Sequence, residues 1–78
     1  MRIAKFTAVF ESAEEGGYTV TVPALPGCVT EGDTLEEAVT MAKDAIAAYV
    51  ESLKKHKEPV PKESSSFIGV IDVPIPAP

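Results

Sequence analysis

Tryptophan is absent from this sequence of 78 residues, cysteine and histidine occur once each, and the aromatics are two tyrosines and three phenylalanines. One cysteine excludes an internal disulfide and any cysteine-rich zinc site. Long apolar runs are also missing: no stretch approaches the roughly 20 residues that cross a bilayer, and the start, MRIAKF, lacks the continuous apolar core of a signal peptide. A soluble, cytoplasmic protein is expected. Basic residues are the minority, seven Lys and Arg against twelve Asp and Glu, for a formal charge of −5 and a pI near 4.7. That balance opposes binding to a phosphate backbone and favours a basic partner.

The length leaves room for one small domain, residues 1–78, in which only about 60% of the unfolded chain's surface can be buried. Residues 2–11 alternate, with Ala4, Phe6, Ala8 and Phe10 on one side and a mixed face on the other, the period-2 pattern of a half-buried first strand. The loop from Ser12 to Gly17 supplies glycines for a reversal, and Tyr18, Val20 and Val22 alternate with threonines in a second, antiparallel strand. Pro23 cannot donate to a ladder and Pro26-Gly27 suits the centre of a type II turn, with Leu25 as an anchor. Residues 28–31 follow as a short third strand.

Thr34 followed three residues later by Glu37 makes a capping box, and Glu36 and Glu37 complement a positive helix N-terminus, so a helix is predicted to begin at Leu35. Leu35, Ala38, Val39, Ala42, Ala45, Ile46, Tyr49, Val50 and Leu53 share one face. Lysines in the last turn, then Pro59 and Pro61, end it near His56. Residues 57–66 connect the helix to a fourth strand, residues 67–73, and residues 74–78 form a proline-rich tail. The order is an α+β, β-β-β-α-β two-layer domain. One helix leaves the sheet's other face uncovered, with Ile3, Val9 and part of the fourth strand on it, which predicts a homo-oligomer.

Glu31, Asp33, Glu36 and Glu37 are oxygen donors of the kind that hold a hard cation, as a metal-dependent nuclease would require. The cap accounts for Thr34 and Glu37, the helix dipole for Glu36 and the turn for Asp33, so neither a metal nor any other cofactor is assigned. Cys28 has no histidine near it in sequence and reads as a small buried residue; His56 reads as a surface residue at the helix end. Gly16-Gly17 is followed by a strand rather than a helix and is a turn, not a phosphate cradle. The lysines at 54, 55, 57 and 62 are interrupted by Glu58 and Glu63 and lack interleaved aromatics, so nucleic-acid binding is not expected.

The ordered set of a first strand, a Gly-Gly-Tyr hairpin, Pro-Ala-Leu-Pro-Gly-Cys, Gly-Asp-Thr-Leu-Glu-Glu-Ala at the helix start and Pro-Val-Pro after it spans nearly the whole chain. In that set the chain resembles the HicB-like antitoxins. The resemblance implies a truncated RNase H-like fold without a working nuclease site, with sheet order 3-2-1-4. It also implies a partner: a small basic HicA-type mRNA-cleaving toxin, neutralised by docking over its active site. With the sequence ending at Pro78, the DNA-binding domain that follows in many relatives is not expected, nor is direct DNA binding.

The leading reading is a non-enzymatic antitoxin-like binding module, a homo-oligomer of two or four copies. Its candidate toxin-facing residues are the exposed carboxylates Glu14 and Glu15 of the hairpin loop with Glu31, Asp33, Glu36 and Glu37 near the third strand and helix start. The rivals are an orphan oligomeric binding domain without a toxin and, from another class, a metal-dependent RNase H-like nuclease.

Overall fold

A computed structural model of the chain describes residues 3–63 and 68–77. Three antiparallel strands, β1 (Val9–Ser12), β2 (Tyr18–Thr21) and β3 (Val29–Gly32), form a sheet in the order β1-β2-β3, and one helix, α1 (Leu35–Lys55), packs across β3 and β2. The class is α+β, as the residue pattern predicts. No helix among the described residues is long and apolar enough to cross a membrane.

Local chemistry sets the connections. In the first hairpin the Ala13 amide donates to the Gly17 carbonyl and the Gly16 amide to the Ala13 carbonyl, both at 3.0 Å, and β1 and β2 pair from Val9 opposite Thr21 to Ser12 opposite Tyr18. Gly17 has φ +81°, and a Cβ there would lie 2.8 Å from the Gly32 carbonyl oxygen, so glycine is required twice over. In the second connection the Cys28 amide donates to the Leu25 carbonyl at 2.9 Å across Pro26 and Gly27, with Gly27 at φ +80°, the positive φ that a type II turn needs at its third residue.

The helix starts where the cap predicts. The Glu37 amide donates to Thr34 Oγ1 at 3.1 Å, while the Glu37 carboxylate accepts from the Asp33 amide at 3.2 Å, one residue earlier than in the simplest capping box. Thr34→Ala is expected to cost about 1 kcal/mol, measurable by urea denaturation; an unchanged midpoint would mean that the cap is idle. At the other end the Lys57 amide donates to the Lys54 carbonyl and the Glu58 amide to the Leu53 carbonyl, a Schellman closure with Lys57 in the left-handed region at φ +56°.

Two small clusters make the core. Val20 packs with Ala38 and Ala42, flanked by Ala8, Phe10 and Tyr18; Val22, Leu25 and Cys28 pack together, flanked by Phe6, Ala8, Ala45, Ile46 and Tyr49. Leu25 is fully buried, the anchor expected of it, and the Tyr49 hydroxyl donates to the Pro26 carbonyl at 2.8 Å, tying the turn to the middle of the helix. The small alanines on α1 let the helix approach the sheet closely.

Four expectations change. The first strand is Val9–Ser12 rather than residues 2–11, because β2 turns away after Thr21, where the Val22 amide donates to the Cys28 carbonyl, and leaves residues 3–8 without a strand partner; Arg2 lies outside the described residues. The third strand is shifted by one residue, since Cys28 closes the turn and Gly32 pairs with Tyr18. Leu35 and Val39 are exposed, because three short strands are narrower than the apolar arc of the helix. Finally, residues 68–73 form no strand and are exposed, having no strand partner among the described residues; Phe67, the expected first residue of that strand, and residues 64–66 of the connection lie outside the described residues.

Candidate functional site

The hairpin loop, the ends of β2 and β3 and the first turns of α1 meet at one end of the molecule around a groove of about 470 Å³. Four carboxylates line it: Glu15 from the loop, Glu31 from β3, Asp33 from the strand-to-helix turn and Glu37 from α1. Tyr18, Thr19 and Met41 also line it, with Ala13, Gly16 and Gly32. Of the six predicted partner-facing residues, the fold therefore gathers four. Glu14 and Glu36 are exposed nearby but do not line the groove.

The convergence depends on a glycine. Gly32 is buried beneath the start of α1, and a Cβ on it would collide with the Ala38 amide nitrogen and lie 2.7 Å from Ala38 Cα and 2.9 Å from the Glu37 carbonyl carbon. Only a bare backbone lets the helix begin against the end of β3. Gly17 approaches the same residue from the hairpin side. These two contacts bring Glu15 beside Asp33 and Glu37 although about twenty positions separate them in the chain.

The register adds a residue the sequence did not single out. Thr19 pairs with Glu11 on one side and Glu31 on the other, and since Val20 points into the core, its neighbour Thr19 is on the sheet face away from the helix. A row of Glu11, Thr19 and Glu31 thus extends the acidic surface around the edge of the groove. Met41, one helical turn after Glu37, was detectable from i, i+4 spacing; Tyr18 and Gly32 needed the strand register.

No group of three or more His, Cys, Asp and Glu among the described residues is disposed to hold a metal ion. Cys28 is buried, and burial pushes its thiol up from the ordinary value, which disfavours the thiolate. A thiol reagent such as DTNB should therefore react slowly with the folded protein and rapidly in denaturant; equal rates would show that Cys28 is open to solvent. The folded chain also holds this proton to higher pH than the unfolded chain, so stability declines as pH rises past the ordinary thiol range of about 8.5. His56 caps the far end of the helix, its Nδ1 donating to the Ser52 carbonyl at 2.8 Å.

Comparison with known proteins bears on this acidic end. The model of the HicB-like antitoxins of bacterial toxin-antitoxin systems matches residues 6–74. The chain belongs to this family. The match takes in both hairpin turns, the cap and the whole helix, so the elements that build the groove lie inside the family's shared region. Among relatives, this HicB-like chain is 50% identical over 66 residues to a UPF0150 protein of Thermoplasma acidophilum, covering 85% of this chain and 96% of that one. It is 44% identical over 66 residues to a UPF0150 protein of Archaeoglobus fulgidus, covering 85% and 87%. It is 37% identical over 71 residues to Antitoxin HicB 1 of Photorhabdus laumondii, covering 91% of this chain and 46% of that longer one.

Proposed function

We propose that this HicB-like chain is a non-enzymatic antitoxin of the cytoplasm, which neutralises a small basic HicA-type mRNA-cleaving toxin by docking its acidic end over the toxin's active site. The observation that carries the reading is the gathering of Glu15, Glu31, Asp33 and Glu37 in one groove of a protein with net charge −5 that belongs to an antitoxin family. A groove of this kind suits a lysine or arginine side chain: the carboxylates attract the head group, and Tyr18 and Met41 receive its aliphatic stem.

The scaffold for this activity is read as a truncated RNase H-like sheet in the order 3-2-1-4, self-associated in solution. The small core supports the self-association, because six buried apolar residues among the described ones are few for an independent domain. Co-expression with the short basic protein encoded beside it, followed by pull-down and an RNA-cleavage assay of that neighbour, tests the antitoxin activity. A stable complex in which cleavage stops is the expected result; a neighbour that cleaves RNA equally well in its presence overturns it.

A further inference from the structure

Residues 68–77 carry no helix or strand and are exposed throughout, yet they include Ile68, Val70, Ile71, Val73 and Ile75, with Val70 98% and Ile71 83% exposed. The radius of gyration is 15.6 Å and the longest dimension 54 Å, against about 11–12 Å for a compact chain of this length and about 32 Å for the helix. The tail therefore stands clear of its own body. Residues 3–8 show the complementary deficiency: they run into β1 without a strand partner and border a groove of about 590 Å³ whose walls include Phe6 and Ile46.

We propose that residues 68–73 pair antiparallel with residues 4–9 of a second copy of this chain, reciprocally, so that each tail supplies the strand beside the other copy's β1. The proposal rests on the sheet order given above and specifies which molecule fills its fourth place. Charge fixes the register. Lys5 is the single charged residue in residues 4–9 and Asp72 the single one in residues 68–73; setting them opposite each other puts Val70 against Thr7 and Ile68 against Val9. On the alternate face Ile71 meets Phe6 and Val73 meets Ala4, which is the face of the apolar groove, since Phe6 packs on the Val22, Leu25 and Cys28 cluster. Pro74 and Pro76 then fall beyond the paired run. A parallel arrangement with the same ion pair would place them inside it, opposite Thr7 and Val9, where they remove donors.

The area reaches that of a stable interface. At about 60–120 Å² for each of the four large aliphatic side chains of residues 68–73, one tail buries about 240–480 Å² and the receiving surface a similar amount, so two reciprocal exchanges come to about 960–1,920 Å². Stable interfaces need about 1,200–2,000 Å². Reciprocity also closes the assembly at two copies and leaves neither an open apolar tail nor an unpaired segment before β1.

The test uses the full chain in a Cys28→Ala background. Copies carrying Thr7→Cys are mixed with differently tagged copies carrying Val70→Cys and oxidised mildly; the expected product is a disulfide-linked heterodimer. The doubly substituted chain should likewise link between copies. An internally closed monomer, or no cross-link, overturns the pairing. By light scattering, the wild-type chain is expected at twice its 8.2 kDa mass and Ile71→Asp at the monomer mass. Lys5→Glu and Asp72→Lys should each weaken the dimer, and their combination should restore it, which separates pairing from misfolding. If the Ile71→Asp chain keeps the dimer mass, self-association stands on another surface and this pairing fails; a wild-type monomer sinks both.

Discussion

Replacing Gly32 with alanine is expected to destabilise the protein by about 3 kcal/mol and lower its thermal midpoint by about 12–24 °C. The effect is steric. Gly32 does not have a positive φ, so an uncrowded alanine would leave the folded backbone unstrained, restrict the unfolded chain and stabilise by about 0.4–1 kcal/mol. The added Cβ instead meets backbone atoms of Glu37 and Ala38, which cannot rotate aside as a side chain does. The sign of the change is therefore the test: thermal unfolding by circular dichroism that shows a rise in midpoint would mean that α1 does not begin so close to β3.

The second large effect concerns the partner. Glu15→Lys with Glu31→Lys should slow association with the proposed basic toxin about 10- to 100-fold at low ionic strength, with the deficit shrinking as salt is added. These two positions are chosen because neither takes part in the helix cap, whereas Glu37 accepts from the Asp33 amide and its reversal would confound binding with folding. Glu51→Lys with Glu58→Lys changes the net charge by the same amount away from the groove. Stopped-flow association that slows equally for both pairs would show that overall charge, not the groove, attracts the toxin.

The parts of the fold that were legible in the sequence are those whose causes are local. Thr34 and Glu37 mark the helix start within one residue, Pro26-Gly27 marks a turn whose geometry admits few alternatives, and the glycines of the hairpin require their loop. The first strand was overextended because alternation in residues 2–11 records which side chains turn inward, and Phe6, Ala8 and Phe10 do pack on the core; it carries no information on where the neighbouring strand stops. Residues 67–73 have the composition of a strand, but composition cannot say whether a pairing partner lies beside them.

The candidate site was legible by half for a related reason. All six predicted carboxylates lie in two short sequence windows, 14–15 and 31–37, yet membership of the groove is decided by Gly17 and Gly32, which bring the hairpin to the helix start. Gly32 carries no signal by itself, since its backbone conformation is ordinary and its importance comes from the helix above it. Glu11 enters the acidic surface through its pairing opposite Thr19, a relation that exists only once the register is set.

The 21-residue helix has one further consequence. It places Glu36 and Glu37 at one end and Lys54 and Lys55 at the other, about 30 Å apart, whereas ions screen charge over about 8 Å at physiological salt. Each end is thus electrostatically blind to the other, and an approaching macromolecule meets a locally acidic or a locally basic pole rather than the average of the two. A cationic partner turns the molecule during the encounter so that the groove arrives first, and the rate of productive collision depends on that rotation as much as on the total charge.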